Sequence, residues 1–349
     1  MLCLSMAIAG ACGGDSAEPV APNGPVTPAV DTTPLRALAD RRGFRIGTAV
    51  DRGLRLSGAD GTRFMGLVAR EFNVLTAEND MKHERLRPSR TTFRFGSADS
   101  LVAFAEANTM RVRGHTLVWH RQLASWLTSG SWTRAEATAQ LTDHIAGVVG
   151  HYRGRVLEWD VVNEPFNEDG SLRSGFWLDN VGRDYIELAF RKAAEADPTT
   201  LLFLTDYNIE GVNPKSDSAF ALVRDLRARG VPIHGIGLQG HFQVGGVPST
   251  LAANIARFAA LGVKVHIVEL DVRVPLPSTA SLLQTQAENY RQVVDACLQS
   301  PACDLITVWG LTDRDSWVPN TFAGWGDALP FDASLQPKPA YWAIHTRLK

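Results

Sequence analysis

Short apolar runs alternate with longer amphipathic segments from about residue 35 to the end of the chain. Runs rich in Val, Ile, Leu and Phe predict buried strands, and they lie at residues 44–50, 72–76, 111–118, 156–162, 201–205, 233–238, 263–270 and 305–309. Apolar residues at helical spacing predict helices over residues 35–42, 97–108, 133–149, 184–196, 216–229, 250–261 and 279–298. The alternation therefore predicts eight strands, most of them separated by a helix.

Eight strand–helix units in about 315 residues match the α/β class, and in particular the (β/α)8 TIM barrel, in number and size. No change in composition interrupts this region, so residues 35–349 are predicted to form one domain. An open, doubly wound parallel sheet is the structural alternative. In both architectures the functional side chains collect at the carboxyl ends of the strands, and we expect a catalytic cleft there.

Polar, ionisable or tryptophan side chains follow seven of the eight predicted strands. The segment RVLEWDVVNEPF at residues 155–166 is the clearest case, because Pro165 cannot donate to a sheet and the strand should end at about Glu164. Burying such side chains is unfavourable unless each is hydrogen-bonded, so their recurrence at one end indicates a polar cleft. The candidates are Glu78, Asn79, Lys82, His115, Trp119, Asn163, Glu164, Tyr207, Asn208, Gln239, His241, Glu269, Asp271, Trp309 and Trp317.

Two glutamates, Glu164 and Glu269, follow the fourth and seventh predicted strands. These strands lie nearly opposite each other in an eight-stranded barrel, so the two carboxyl groups can face each other across the cleft. Carboxyl groups together with tryptophan and amide side chains suit a carbohydrate, because indole stacks on the sugar face and polar groups bind its hydroxyls. Glycoside hydrolysis needs two such carboxyl groups, one to protonate the leaving oxygen and one to attack the anomeric carbon or activate water.

Six segments carry a recognisable pattern: WDVVNE at 159–164, GHTLVWH at 114–120, HIVELD at 266–271, TDYN at 205–208, ITVWGLTDRDSW at 306–317 and QPKPAYWAI at 336–344. These segments resemble those of glycoside hydrolase family 10, the xylanase family. Together they extend, in order, from about residue 35 to the C-terminus. The resemblance implies a (β/α)8 barrel and a retaining endo-1,4-β-xylanase that acts on xylan without a metal or other cofactor, and we expect a monomer.

The resemblance also implies roles for individual residues. Glu164 would be the acid/base and Glu269 the nucleophile, with Asn163 bonded to the sugar 2-hydroxyl and His241 and Asp271 orienting Glu269. The remaining candidates would bind substrate. Glu78, Asn79, Lys82, His115, Trp119 and Gln239 would line the glycone side, with Trp309 and Trp317 over it, and Tyr207 and Asn208 would face the aglycone side. Pro165 and Arg87 stand where the family more often has other residues.

The cysteines divide between the N-terminal segment and the predicted domain. Cys297 and Cys303 are six residues apart, and this spacing by itself allows either a short-loop disulfide or two buried thiols. A cysteine pair at this position is part of the family pattern, so the resemblance implies the disulfide. No cysteine or histidine spacing resembles a zinc site.

The first 34 residues differ from the rest in composition. Residues 1–11 are apolar or small and precede Cys12, which resembles the end of a bacterial lipoprotein signal, although no Lys or Arg comes before the apolar stretch. Residues 1–18 are therefore predicted to be an export leader, with Cys12 as a candidate for lipidation and membrane anchoring. Residues 19–34 contain five prolines and predict an extended spacer. We expect an extracellular or cell-envelope location.

Composition adds little to this interpretation. The chain has 349 residues, of which 45% are hydrophobic and 21% charged, and its net charge of −2 gives no electrostatic reason for binding nucleic acid.

Residues 235–240 fit the G-x-G-x-x-G pattern, so an NAD-dependent oxidoreductase is a rival interpretation. That site needs a helix directly after the glycines and an acidic residue about 20 positions later. Pro248 delays any helix to about Ser249, and the next acidic residue is Glu269. Two further alternatives are a barrel glycosidase that cleaves β-1,4-glucan and a non-catalytic polysaccharide-binding surface protein.

Overall fold

The computed structural model describes residues 2, 31–51 and 57–349. Residues Pro34–Lys349 form one compact unit. Cys12, the predicted leader apart from Leu2, and residues 19–30 of the predicted spacer lie outside the described residues, so these assignments stay predictions. None of the helices in the described residues combines the length and the apolar character that crossing a membrane requires.

The strands in the described residues form a closed barrel. Their bounds are β1 Arg45–Val50, β2 Val74–Ala77, β3 Arg111–Gly114, β4 Val156–Asn163, β5 Leu201–Asp206, β6 Gly235–Leu238, β7 His241–Gln243, β8 Lys264–Pro275, β9 Leu305–Val308 and β10 Trp325–Gly326. All except the short β7 and β10 pair in parallel around the ring, and β9 pairs with both β1 and β8. The predicted (β/α)8 barrel is confirmed, and the open-sheet alternative is wrong because this pairing leaves no free edge.

Helices lie before the first barrel strand, between successive barrel strands and after the last one. Their bounds are α1 Leu35–Arg41, α2 Gly58–Glu71, α3 His83–Leu86, α4 Gly96–Ala107, α5 Ser125–Thr128, α6 Arg134–His151, α7 Phe176–Val181, α8 Tyr185–Ala196, α9 Pro214–Ala228, α10 Leu251–Ala259, α11 Ala280–Leu298, α12 Val318–Thr321 and α13 Pro339–Leu348. In α8, Ile186, Ala189, Phe190 and Ala193 are buried at the spacing of one helical face, which explains why a periodic sequence packs against the barrel here.

Helix α2 was not predicted from the sequence pattern. Gly58, Gly61 and Gly66 lower the helix propensity of this segment. The helix forms because Phe64 and Val68 are buried in the hydrophobic core. Burial in the folded protein therefore overrides the local preference.

The segment with the G-x-G-x-x-G pattern does not open a helix. Gly235–Leu238 is the sixth barrel strand, and it is followed by the short strand β7, whose His241 pairs with Asp271 of β8. A dinucleotide site of the expected kind needs a helix N-terminus at this point. The dinucleotide interpretation is therefore contradicted.

The segment between α11 and β9 is closed by a covalent link. Cys297, in the last turn of α11, and Cys303, just before β9, form a disulfide with a Cα–Cα distance of 5.1 Å. The structure thus pairs the two cysteines that the family resemblance implied.

Candidate active site

A cleft of about 620 Å³ lies at the carboxyl ends of the barrel strands, within the range usual for ligand sites. The structure brings the predicted side chains together here. The cleft is lined by Glu78, Asn79, Lys82, His115, Trp119, Asn163, Glu164, Tyr207, Asn208, Gln239, His241, Glu269, Trp309 and Trp317. Asp271, the remaining candidate, is buried directly behind His241.

One side of the cleft, here called the Glu269 wall, consists of Glu269, His241, Asp271 and Trp317. His241 lies between two carboxylates, with Nε2 3.2 Å from Glu269 Oε2 and Nδ1 2.9 Å from Asp271 Oδ2. Trp317 Nε1 donates to the same Asp271 oxygen at 2.8 Å. Burial opposes a charged imidazole, but the carboxylates of Asp271 and Glu269 outweigh it and raise the pKa of His241 to about 10. A cation therefore stands beside Glu269 at neutral pH.

A second network supports Glu269 from below. His115 Nδ1 lies 2.8 Å from Asp160 Oδ2 and 3.7 Å from Glu269 Oε1. Asp160 also forms an ion pair with Arg113, and all of these side chains are at most 5% exposed. Although burial works against the charged carboxyl, Arg113 and His115 lower the pKa of Asp160. Asp160 and Arg113 were not among the residues predicted from the sequence. Their charged side chains inside the apolar strands β3 and β4 could have indicated a functional role.

His115, Asp160 and Glu269 also form the one group among the described residues whose donor atoms could hold a metal ion, lying within 4.8 Å of one another. Each of the three side chains already has a protein partner, although Glu269 Oε1 accepts no hydrogen bond from the described residues. Asp160 is paired with Arg113, and Glu269 is bonded to His241. The guanidinium of Arg113 and the charged imidazole of His241 disfavour the binding of a further cation, so the group fits an ion-pair network better than a metal site.

The opposite side of the cleft, here called the Glu164 wall, consists of Glu164, Trp119, Gln239 and His120. Glu164 follows the last residue of β4 and has φ of +55°, a backbone region uncommon for residues other than glycine and often found at functional sites. Trp119 Nε1 donates to Glu164 Oε2 at 2.9 Å, and Gln239 Nε2 donates to Glu164 Oε1 at 3.2 Å. The same amide donates to Asn163 Oδ1 at 3.2 Å. Neutral donors therefore hold both oxygens of Glu164.

Lys82 lies at one end of the cleft, between Asn79 and Trp119. Its Nζ donates to Asn79 Oδ1 at 3.0 Å and lies 4.9 Å from the Trp119 ring centroid. Burial lowers the pKa of Lys82, and nearby carboxylates, Glu269 first, partly oppose that shift. Burial and the carboxylate of Asp51 raise the pKa of Glu78 to about 7. This end therefore combines donors and acceptors in the arrangement that sugar hydroxyls require.

Tyr207 and Asn208 lie at the other end, and Tyr207 is held by two cations that were not predicted from the sequence, Arg173 and Lys215. Arg173 Nη2 donates to the Tyr207 hydroxyl at 2.8 Å, and Lys215 Nζ lies 3.4 Å from the Tyr207 ring centroid. Asn208 Nδ2 donates to Glu168 Oε2 at 3.0 Å. No local sequence signal distinguished Arg173, which lies on an irregular segment after β4, from an ordinary loop arginine.

The comparisons with known proteins agree on one family. The sequence model of Glycosyl hydrolase family 10 matches residues 34–347. Endo-1,4-beta-xylanase B of Thermotoga neapolitana is 44% identical over 313 residues, which are 89% of this chain and 90% of that protein. An endo-1,4-beta-xylanase of Agaricus bisporus is 45% identical over 311 residues, 89% of this chain and 93% of that protein.

Solved structures of the same family share the fold. Native xylanase 10B from Thermotoga maritima has a TM-score of 0.88 and 44% identity, covering 90% of this chain and 98% of that one. Xylanase 10B from Thermotoga petrophila RKU-1, solved in complex with xylobiose, has a TM-score of 0.89 and 43% identity, covering 91% of this chain and 98% of that one. With a family match over nearly the whole barrel and relatives of this identity, the chain belongs to glycosyl hydrolase family 10 and is a glycoside hydrolase.

Proposed function

We propose that the protein is a retaining endo-1,4-β-xylanase that hydrolyses internal bonds of xylan by double displacement. The observation that carries the proposal is the difference between two glutamates in one cleft. Glu269 stands beside the cation His241, whereas Glu164 is held by the neutral donors Trp119 and Gln239. The substrate is supported by relatives of 44–45% identity that are named endo-1,4-beta-xylanases.

In the first displacement, the Glu269 carboxylate attacks the anomeric carbon while Glu164 gives its proton to the glycosidic oxygen. The carbon–oxygen bond to the leaving chain breaks, and an ester between the sugar and Glu269 forms. The charged imidazole of His241, with Nε2 3.2 Å from Glu269 Oε2, orients this carboxylate for the attack. His115 helps to fix the orientation of Glu269 from the barrel interior.

In the second displacement, Glu164, now a carboxylate, accepts a proton from water, and the oxygen of that water attacks the anomeric carbon. The ester breaks, Glu269 leaves as a carboxylate and Glu164 is protonated again. Two inversions at one carbon retain the β configuration. Glu164 is suited to both halves of this cycle because its side chain is 13% exposed and thus open to the incoming water, against 5% for Glu269.

The other cleft residues bind the chain. Asn163 would donate to the sugar 2-hydroxyl, since Gln239 already occupies its amide oxygen. Glu78, Asn79, Lys82 and His115 would bind glycone hydroxyls, with Trp309 and Trp317 stacked over the rings. Tyr207 and Asn208 would contact the leaving chain.

The proposal is tested with polymeric substrates. An internal-cleaving xylanase lowers the viscosity of a xylan solution faster than reducing ends appear, and NMR of the early products shows the β anomer first. Initial rates on carboxymethylcellulose measure the alternative β-1,4-glucan activity and are expected to be far lower. Activity confined to cellulose, release of single terminal sugars, or an initial α anomer would contradict the proposal. Binding of xylan without hydrolysis would favour the non-catalytic alternative.

The N-terminal assignments are proposals of the same kind. We propose that residues 1–18 direct export, that residues 19–34 are a spacer, and that Cys12 is lipidated. Replacing Cys12 by Ser in the native host is then expected to move the enzyme from the membrane fraction to the soluble fraction. A soluble unmodified protein would contradict lipidation. The Cys297–Cys303 disulfide is tested by alkylating the protein without reductant. If the disulfide is present, neither cysteine should be labelled.

A further inference from the structure

A second cavity, here called the side cavity, opens beside the catalytic cleft. Its volume is about 470 Å³, and Asn208, His241 and Arg273 line both it and the cleft. The shared walls make the side cavity a branch of the cleft at the level of the Glu269 wall. If a linear polysaccharide occupies the cleft, a branch of this size suits a substituent that projects from the chain.

Arg273 stands where the two spaces meet. Its backbone carbonyl accepts from Val244 N at 2.9 Å, which fixes the residue in β8. Its guanidinium lies 4.2 Å from the ring centroid of Phe322 and 5.6 Å from that of Trp325. Two aromatic faces thus hold the guanidinium in place before any ligand arrives.

Within the described residues, no hydrogen bond or ion pair joins the Arg273 guanidinium to another residue, in contrast to the neighbouring cations. Lys215 Nζ lies 3.0 Å from both Asp206 Oδ1 and Glu168 Oε1, and Arg173 donates to Tyr207. Burial lowers the pKa of Arg273, and the carboxylate of Asp271 only partly offsets that shift. Arg273 is therefore a partly buried cation whose guanidinium forms no hydrogen bond or ion pair with the described residues.

The acidic residues of the side cavity are already compensated. The carboxylate of Glu168 is bonded to Lys215 through one oxygen and to Asn208 through the other. Glu210 is 3% exposed and accepts from Gly240 N at 2.7 Å, and burial raises its pKa. The charge left without a partner in the cavity is thus positive, and a carboxylate is the ligand that matches a guanidinium in shape and charge.

We propose that the side cavity binds a carboxylate-bearing sugar substituent of xylan, a uronic acid, through Arg273. This inference rests on the proposed xylanase function and specifies which decorated substrates the enzyme prefers. A guanidinium that is already oriented can bind a carboxylate through two hydrogen bonds without first losing conformational freedom.

The test compares two polymers that differ only in charge, a glucuronoxylan and the same polymer after its carboxyl groups have been reduced to alcohols. The measured quantity is the ratio of kcat/KM on the acidic polymer to that on the neutral one. For the wild-type enzyme we expect a ratio above one that falls with added salt. Arg273→Gln should lower the ratio about tenfold, because hydrogen bonds to charged groups are lost. Arg273→Lys should give an intermediate ratio, since it keeps the charge but loses the paired hydrogen bonds.

Arg121→Gln is the matched control. Arg121 also lines the cleft but not the side cavity, so the same charge is removed without touching the proposed site. Its ratio should equal that of the wild type. Three results would overturn the uronate site and leave the xylanase proposal standing. They are an unchanged ratio in Arg273→Gln, an equal fall of the ratio in Arg121→Gln, and a wild-type ratio of one or less that does not change with salt. Failure of the wild-type enzyme to hydrolyse either polymer would overturn both.

Discussion

The Glu164 wall and the Glu269 wall each place a histidine beside a glutamate, and the two histidines carry different charges. His241 lies between the carboxylates of Glu269 and Asp271, which raise its pKa to about 10 despite burial. His120 Nδ1 lies 3.8 Å from Glu164 Oε2, but burial lowers the pKa of His120 to about 4 and the single carboxylate opposes this only in part. One glutamate therefore faces a cation at neutral pH and the other a neutral ring.

This difference shows how one residue type can serve two chemical roles in the same cleft. A carboxyl group beside a fixed cation is stabilised as the anion, which a nucleophile must be. A carboxyl group among neutral donors can exchange a proton during each turnover, which an acid/base must do. Replacing residues on one wall and then on the other tests whether the walls are distinct in function.

The largest loss of activity is expected from a substitution in the Glu269 wall. Glu269→Ala removes the proposed nucleophile, so kcat on xylan should fall by more than the roughly 10²–10⁴-fold typical of losing an acid/base alone. No burst of phenol should appear with an aryl xylobioside, because no glycosyl-enzyme can form. If azide restores turnover by direct attack, the product should be the inverted α-azide. A β-azide from this variant would reverse the assignment of the two walls.

The second largest loss of activity is expected from a substitution in the Glu164 wall. Glu164→Ala should lower kcat on xylan by about 10²–10⁴-fold, because acid assistance to the leaving group and base assistance to water are both lost. An aryl xylobioside with a good leaving group needs no acid, so the glycosyl-enzyme should form in a burst and then persist. Azide should restore turnover and yield the β-azide. An α-azide, or the absence of a burst, would contradict the acid/base role.

A smaller effect, on the pH dependence of activity, is expected when the histidines beside the two glutamates are replaced. His241→Gln removes the cation beside the nucleophile, so the acid limb of the kcat/KM profile should move to higher pH, because a neighbouring cation favours the anionic form that a nucleophile must have. His120→Gln is the control on the opposite wall, and it should leave that limb in place because His120 is already neutral. Equal shifts in the two variants would mean that the walls do not differ in charge.

The smallest effect concerns stability and compares His241 with a histidine outside the cleft, His83. Burial lowers the pKa of His83 to about 3, so the unfolded protein binds an extra proton between about pH 6.5 and 3 and stability falls as pH falls through that range. His241 contributes in the opposite direction, since its raised pKa favours the fold below pH 6.5 and that contribution is lost as pH rises towards 10.

His83→Gln isolates the first of these contributions. The glutamine can still accept from Ala124 N, as His83 Nδ1 does at 3.2 Å, but it cannot take up a proton. Between pH 7 and pH 4, the Tm of the variant should therefore fall by roughly 5 °C less than that of the wild type. If Tm falls by the same amount in the variant and the wild type, His83 contributes nothing to the acid sensitivity of the fold.

The sequence by its pattern predicted the eight strands of the barrel and many of the cleft residues, but not Arg173 or Arg273. Strands buried on both faces read as apolar runs, and parallel strands bring all their carboxyl ends to one edge, so residues such as Glu164 and Glu269 could be grouped without a structure. Thr133 was also predictable as the cap of α6, because capping is local: its side chain accepts from Glu136 N. The predicted start of α9 at residue 216 was too late, because the helix begins at Pro214 and is capped by Asn213, whose side chain accepts from Ser216 N.

Which charged residues are paired depends on contacts that form only when the chain has folded. The charge of His241 depends on two carboxylates that reach it from 28 and 30 positions along the chain, and the Arg113–Asp160 pair spans 47. In the sequence, Arg273 cannot be told from any other arginine in a strand. The structure distinguishes it by the rings of Phe322 and Trp325 against its guanidinium and by the absence of a hydrogen bond or ion pair to the described residues. Electrostatic energies depend on distance and burial, and neither quantity is encoded in a short stretch of sequence.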